Sequence, residues 1–191
     1  MRNFPEFIIS FWAIQLLGAV STFVNAWLPS RPFLHCIKLT DPRVIIVDPE
    51  RADRLSGALL HDVKEKSSLT GILVIRSREG KGAWPGMDDY NRELSHYSGP
   101  LDAWKNEPEA VPEDDATIFF TSGTTGLPKG VLSSQRGFLG NILNAIAARH
   151  RRILRNGEDI PAPDPTQKAC LIAVPLFHVT ACISNMVRIA E

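Results

Sequence analysis

The chain has 191 residues, enough for one domain with a sizeable core, and its 44% apolar and 22% charged content is that of an ordinary globular protein. Twenty-one Lys and Arg balance 21 Asp and Glu, which excludes a nucleic-acid or anionic-membrane partner held by bulk charge. The three cysteines, Cys36, Cys170 and Cys182, are widely spaced, match no disulfide framework or zinc pattern, and read as buried free thiols in a reducing, intracellular compartment such as the cytoplasm.

Residues Phe7 to Ser30 carry no charge over 24 positions, long enough to cross a bilayer. Gly18, Ser21, Thr22, Asn25 and Pro29 break that run. A buried helix over Phe7 to Leu17, opened by Pro5 and Glu6 with Asn3 as a possible cap and closed at Gly18, followed by a strand over Ala19 to Val24, explains it without a membrane. A short helix over Pro29 to Leu39 comes next. Val44 to Val47 is a β-branched run between Pro42 and Pro49, the pattern of a buried parallel strand. Leu55, Leu59, Leu60 and Val63 predict one amphipathic helix over residues 50 to 66, and Ile72 to Ile75 a second buried strand. Strand, helix, strand in this short span is a β-α-β unit with parallel pairing.

Residues 77 to 115 read as a long surface segment, interrupted by a short helix near Met87 to Leu94 and ending in a solvated acidic run. Ser134 is placed to cap a helix running to about Ile153. The basic residues at its end, Arg149, His150, Arg151, Arg152 and Arg155, complement the helix dipole. Ala169 to Val174 predicts a further buried strand, and a helix begins at Ala181. The fold class is α/β, with a largely parallel sheet and helices on both faces.

Between the apolar run Ala116 to Phe120 and Val131 stands Thr121-Ser122-Gly123-Thr124-Thr125-Gly126-Leu127-Pro128-Lys129-Gly130. This reads as strand, glycine-rich loop, strand. Four hydroxyls, three glycines and one lysine within ten residues suit an anion. Glycines let backbone N–H groups approach phosphate oxygens, hydroxyls donate to the same oxygens, and Lys129 supplies a mobile positive charge. The stretch is not the common P-loop, because Pro128 rather than Gly precedes Lys129 and Gly130 rather than Ser or Thr follows it. A flexible hairpin loop is the plain alternative.

The stretch resembles the signature of the adenylate-forming (AMP-binding) enzymes, the superfamily of acyl-CoA synthetases and related ligases. Pro175-Leu176-Phe177-His178-Val179 resembles that family's next block. The resemblance implies ATP-dependent activation of a carboxylic acid to an acyl-adenylate, then transfer to coenzyme A. It implies that Thr121 to Lys129 (Thr121, Ser122, Gly123, Thr124, Thr125, Gly126, Leu127, Pro128 and Lys129) cradle the phosphates, that Thr124 serves Mg2+, and that Lys129 steadies the departing pyrophosphate. Phe177 and His178 would face the acid, with His178 between carboxylate and phosphates. The resemblance covers residues 1–191 as part of a large domain, with no counterpart of the adenine, ribose and catalytic-lysine regions or of the C-terminal lid domain. The expectation is therefore a truncated, inactive piece of a ligase. A non-catalytic remnant that binds a partner protein is the second reading, and a membrane-anchored protein the third.

Overall fold

The computed structural model describes the chain except residues 66, 78–81, 103–104, 106–108, 123–125, 163–165, 167–168, 170 and 184–191. Its elements in chain order are α1 (Pro5–Leu16), β1 (Ser21–Phe23), α2 (Ser30–Thr40), β2 (Val44–Val47), α3 (Pro49–Leu55), α4 (Ala58–Glu65), β3 (Gly71–Val74), β4 (Asp88–Asp89), α5 (Tyr90–His96), β5 (Asp115–Thr121), β6 (Lys129–Ser134) and α6 (Gln135–Arg155). Two three-stranded sheets form, β1-β5-β6 and β2-β3-β4. Among the described residues, three of the four strand pairings are parallel, and only the β5–β6 pairing is antiparallel. This is the expected α/β architecture, including the parallel β2–β3 pair of the β-α-β unit.

The uncharged stretch after Phe7 divides as its sequence breaks suggest. Pro5 sits at the first turn of α1, where its missing N–H is no loss, and Gly18 takes φ +64° just beyond the helix. Among the described residues no helix is long and apolar enough to cross a membrane. Phe7 and Phe11 of α1 bury instead against Phe23 of β1, Phe119 of β5 and Phe138 of α6. A second core gathers Ile37, Ile45, Val47, Leu55, Val63 and Ile72 around β2 and β3.

Three local expectations are corrected. The helix over residues 50 to 66 is two helices, because Gly57 adopts φ +68° between α3 and α4. The apolar residues that suggested one helix still face one core, so the periodicity survived a break it could not reveal. Asn3 is not the cap of α1. Phe4 occupies that position without a side-chain bond, and the Asn3 amide donates to the Val174 carbonyl at 2.8 Å while accepting from the Leu176 N–H at 2.8 Å. Finally, the described residues of Ala169 to Val174 form no strand, and Leu171 is 92% exposed. The Asn3 amide instead fixes the C-terminal end of this run, at the Val174 carbonyl and the Leu176 N–H. The helix expected from Ala181 is seen over 179–183, and its continuation lies outside the described residues.

Candidate functional site

The signature stretch is the turn of a hairpin. Thr121, last in β5, pairs with Lys129, first in β6, so residues 122–128 form the connecting loop. β5 is the central strand of its sheet and buries Ala116, Thr117 and Phe119. Gly130 suits a close approach, since a Cβ there would lie 3.1 Å from the Ile118 side chain, which would have to shift by a few tenths of an ångström. Gly126 holds φ +90°, a conformation that side chains disfavour.

Both ends of the loop are anchored. The Thr121 hydroxyl donates to the Lys129 carbonyl at 3.5 Å. Pro128 is buried, and its carbonyl lies 3.1 Å from His35 Nε2 on α2. A carbonyl only accepts, so Nε2 of His35 carries the proton in this contact. Thr121, Ser122 and Lys129 are exposed at the loop mouth, and among the described residues no carboxylate pairs with Lys129. Two hydroxyls and an ammonium therefore face solvent from one rigidly ended turn. Gly123, Thr124 and Thr125, the centre of the expected cradle, lie outside the described residues.

The second expected block follows a turn rather than a strand. The His178 N–H donates to the Pro175 carbonyl at 3.0 Å. The His178 carbonyl then accepts from Cys182 N–H at 3.0 Å, and its Nδ1 accepts from Thr180 N–H at 3.3 Å. His178 is thus the N-cap of the helical turn over 179–183, with its ring exposed and its neutral proton held on Nε2. The cap role makes a prediction. His178→Ala lowers stability by about 1 kcal/mol, whereas His178→Asn, which keeps a capping acceptor, stays within about 0.5 kcal/mol of the parent in urea unfolding. Equal losses in the two variants would refute the cap.

Phe177 is half-buried and meets Trp27 edge-on, with centroids 5.4 Å apart and planes at 68°. Trp27 in turn lies under the Arg51 guanidinium, 5.5 Å from its ring centroid, and Arg51 Nε donates to the Ala26 carbonyl at 2.8 Å. Arg51 is itself buried beside Asp48, which is fully buried. Burial alone would raise the Asp48 pKa, but the Arg2 N–H, the Met1 ammonium, the Arg51 N–H and the Arg51 charge hold it below its ordinary value. Cys182, near His178, is no candidate acyl acceptor, because burial pushes its thiol up to about 12. Cys36 is likewise pushed up to about 11.

Among the described residues no hydrogen bond or ring contact joins Phe177 or His178 to the hairpin loop. The sequence singled out neither His35 nor Trp27 and Arg51. His35 stands 93 residues from the carbonyl it holds, and no local pattern signals such a contact.

Comparison with known proteins gives a consistent result. The family model described as AMP-binding enzyme matches residues 1–189. A 4-coumarate–CoA ligase of Vanilla planifolia is 24% identical over 182 residues, covering 94% of this chain and 29% of that ligase. A 4-coumarate–CoA ligase of Petroselinum crispum is 26% identical over 182 residues, covering 94% of this chain and 28% of its own length. The chain thus spans less than a third of these relatives. A red-emitting luciferase from Phrixothrix hirtus shares the fold, with a TM-score of 0.71 at 21% identity over 97% of this chain and 33% of the luciferase.

Proposed function

The chain belongs to the AMP-binding enzyme family, and we propose that it carries the phosphate-binding part of an ATP-dependent carboxylate–CoA ligase. The observation that carries this reading is the hairpin turn. Its exposed Thr121, Ser122 and Lys129 flank the loop, Thr121 and Lys129 facing each other across the hairpin, and Pro128 is tied to His35. In the reaction class, a carboxylate oxygen attacks the α-phosphorus of ATP and pyrophosphate departs. A thiol, that of coenzyme A, then displaces AMP from the acyl group. Negative charge spreads over the phosphates in the first step, so positioned N–H, hydroxyl and ammonium donors are what a protein contributes.

Lys129 is assigned to the departing pyrophosphate, and Thr121 to Gly126 to the β- and γ-phosphates. Mg2+ keeps several waters and takes its other oxygens largely from the nucleotide, so one hydroxyl, that of Thr124, is a sufficient protein share. Phe177 and His178 are assigned to the acid. Trp27 backs Phe177, and the cap bond leaves Nε2–H of His178 as the donor available to a carboxylate. None of these residues is assigned to adenine or ribose. The binding expected of these residues is therefore to the phosphates of MgATP.

The test is calorimetry of MgATP binding. Lys129→Ala and Thr124→Ala are each expected to weaken binding about tenfold or more, in line with a lost hydrogen bond to a charged group. Saturable binding that neither change alters, or no binding by a folded chain, would overturn the assignment. A partner-binding reading draws on a different observation. Val131 and Leu132 of β6 and Leu143 of α6 are at least half exposed, which suits cover by further polypeptide.

A further inference from the structure

The hairpin that carries the phosphate loop belongs to the sheet β1-β5-β6, yet a helix of the other core holds it. That helix, α2, seats Ile37 in the core around β2 and β3, with Phe33 and Leu34 packed against it. His35 of the same helix is half-buried, and its Nε2 donates to the Pro128 carbonyl at 3.1 Å. Among the described residues this is the one hydrogen bond between α2 and the β5–β6 hairpin. The place of its acceptor in the chain gives it consequence. The Pro128 carbonyl belongs to the planar peptide group that leads into Lys129, and the Pro128 ring restricts φ on the near side. The Lys129 carbonyl, next along, accepts from the Thr121 hydroxyl at 3.5 Å. Carbonyls on both sides of the Lys129 Cα are thus held, and with them the direction in which its side chain leaves the backbone.

We propose that His35 is a positioning residue for Lys129. Resting on the phosphate-binding reading of this loop, the assignment is that His35 sets the direction from which the Lys129 ammonium meets the phosphates of a nucleotide, without touching the nucleotide itself. Beyond its Cβ, Lys129 is an exposed and flexible stem, so the backbone is where its reach can be fixed. A donor fixed before a charged ligand arrives binds it more tightly than one that must be ordered at that moment. Without the His35 bond, the buried Pro128 carbonyl loses its partner on α2, and the Pro128–Lys129 peptide is free to turn.

The test is calorimetry of MgATP binding to the parent, His35→Phe, His35→Gln, Lys129→Ala and the double variant His35→Phe with Lys129→Ala. Phe keeps a ring without the donor, and Gln keeps an N–H donor at about the same reach. His35→Phe is expected to weaken binding about fivefold, and His35→Gln to stay within about twofold of the parent. In the Lys129→Ala background His35→Phe is expected to add nothing, because a residue that acts through Lys129 has no effect once Lys129 is gone. Equal weakening by Phe and Gln, or the same fivefold loss with and without Lys129, would make His35 a packing residue and overturn the proposal. A second measurement needs no variant: nitrogen-15 NMR of the neutral His35 ring should find its proton on Nε2, and a proton on Nδ1 would overturn the proposal as well. Binding weakened in Lys129→Ala but unchanged in His35→Phe would overturn the His35 assignment alone. A folded parent that binds no MgATP would overturn the phosphate-loop reading, and this assignment with it.

Discussion

Asp48→Ala is expected to destabilise the fold by about 3–5 kcal/mol, the range for removing one partner of a buried ion pair. Three roles converge on this fully buried carboxylate. It caps α3 by accepting from the Arg51 N–H at 3.1 Å, and it accepts from the Arg2 N–H at 2.8 Å. It also faces Arg51 Nη1 at 3.3 Å. With Asp48 gone, Glu50, whose side chain is half-exposed, is the one carboxylate left to Arg51 among the described residues, while Arg51 Nη2 already lacks a hydrogen-bond partner among them. Arg51 positions Ala26 and Trp27, so the loss extends toward Phe177. The effect is read from the urea midpoint, and its acid dependence supplies a second check. The folded pKa of Asp48 is below its ordinary 3.8, so its contribution is fully present above about pH 4 and is lost as pH falls through the folded value. The parent should lose stability in that acid window, and the variant should lose less. A variant as stable as the parent at neutral pH would refute the role.

What the sequence made legible here was local. The strand–loop–strand reading of residues 116–134 rested on a β-rich run on one side, a glycine-rich centre and a short apolar run after it, all within hydrogen-bonding reach of one another. Ser134 as the cap of α6 is equally local, and its hydroxyl accepts from Gly137 N–H at 3.2 Å. The failures share the opposite character. Whether Ala169 to Val174 forms a strand depends on a partner edge elsewhere, which local spacing does not encode, and the contact at its end comes from Asn3, 171 residues away. Gly57 was visible as a residue but not as a break, since Leu55, Leu59, Leu60 and Val63 keep helical spacing across it. In the site, the chemistry of the loop was readable from its hydroxyls and lysine. Its anchoring through His35, and the stacking of Arg51, Trp27 and Phe177, depend on tertiary packing that no spacing rule encodes.

Phe119→Ala is expected to cost about 3–5 kcal/mol, the range for deleting a core aromatic ring. Phe119 sits in β5, the central strand between β1 and β6, and is 6% exposed. Its ring stacks on Phe23 at 4.5 Å, and Phe23 packs on Phe7 at 5.5 Å and on Phe11 at 5.9 Å. Phe11 continues the chain of rings to Phe138 of α6 at 5.8 Å. Removing Phe119 therefore leaves a void at the point where the sheet meets both α1 and α6. A rigid two-helix cover collapses poorly onto such a void, which places the cost toward the upper part of that range. Val131 gives the internal control. It lies opposite Phe119 in the β5–β6 register but is 50% exposed, so Val131→Ala should change stability by about 0.5 kcal/mol or less. For a chain of this size the contrast amounts to a melting shift of roughly 10 °C for Phe119→Ala against one or two degrees for Val131→Ala. Comparable shifts in the two variants would mean that the aromatic ladder does not carry this core, and that the hairpin bearing the phosphate loop is held by its strand pairing alone.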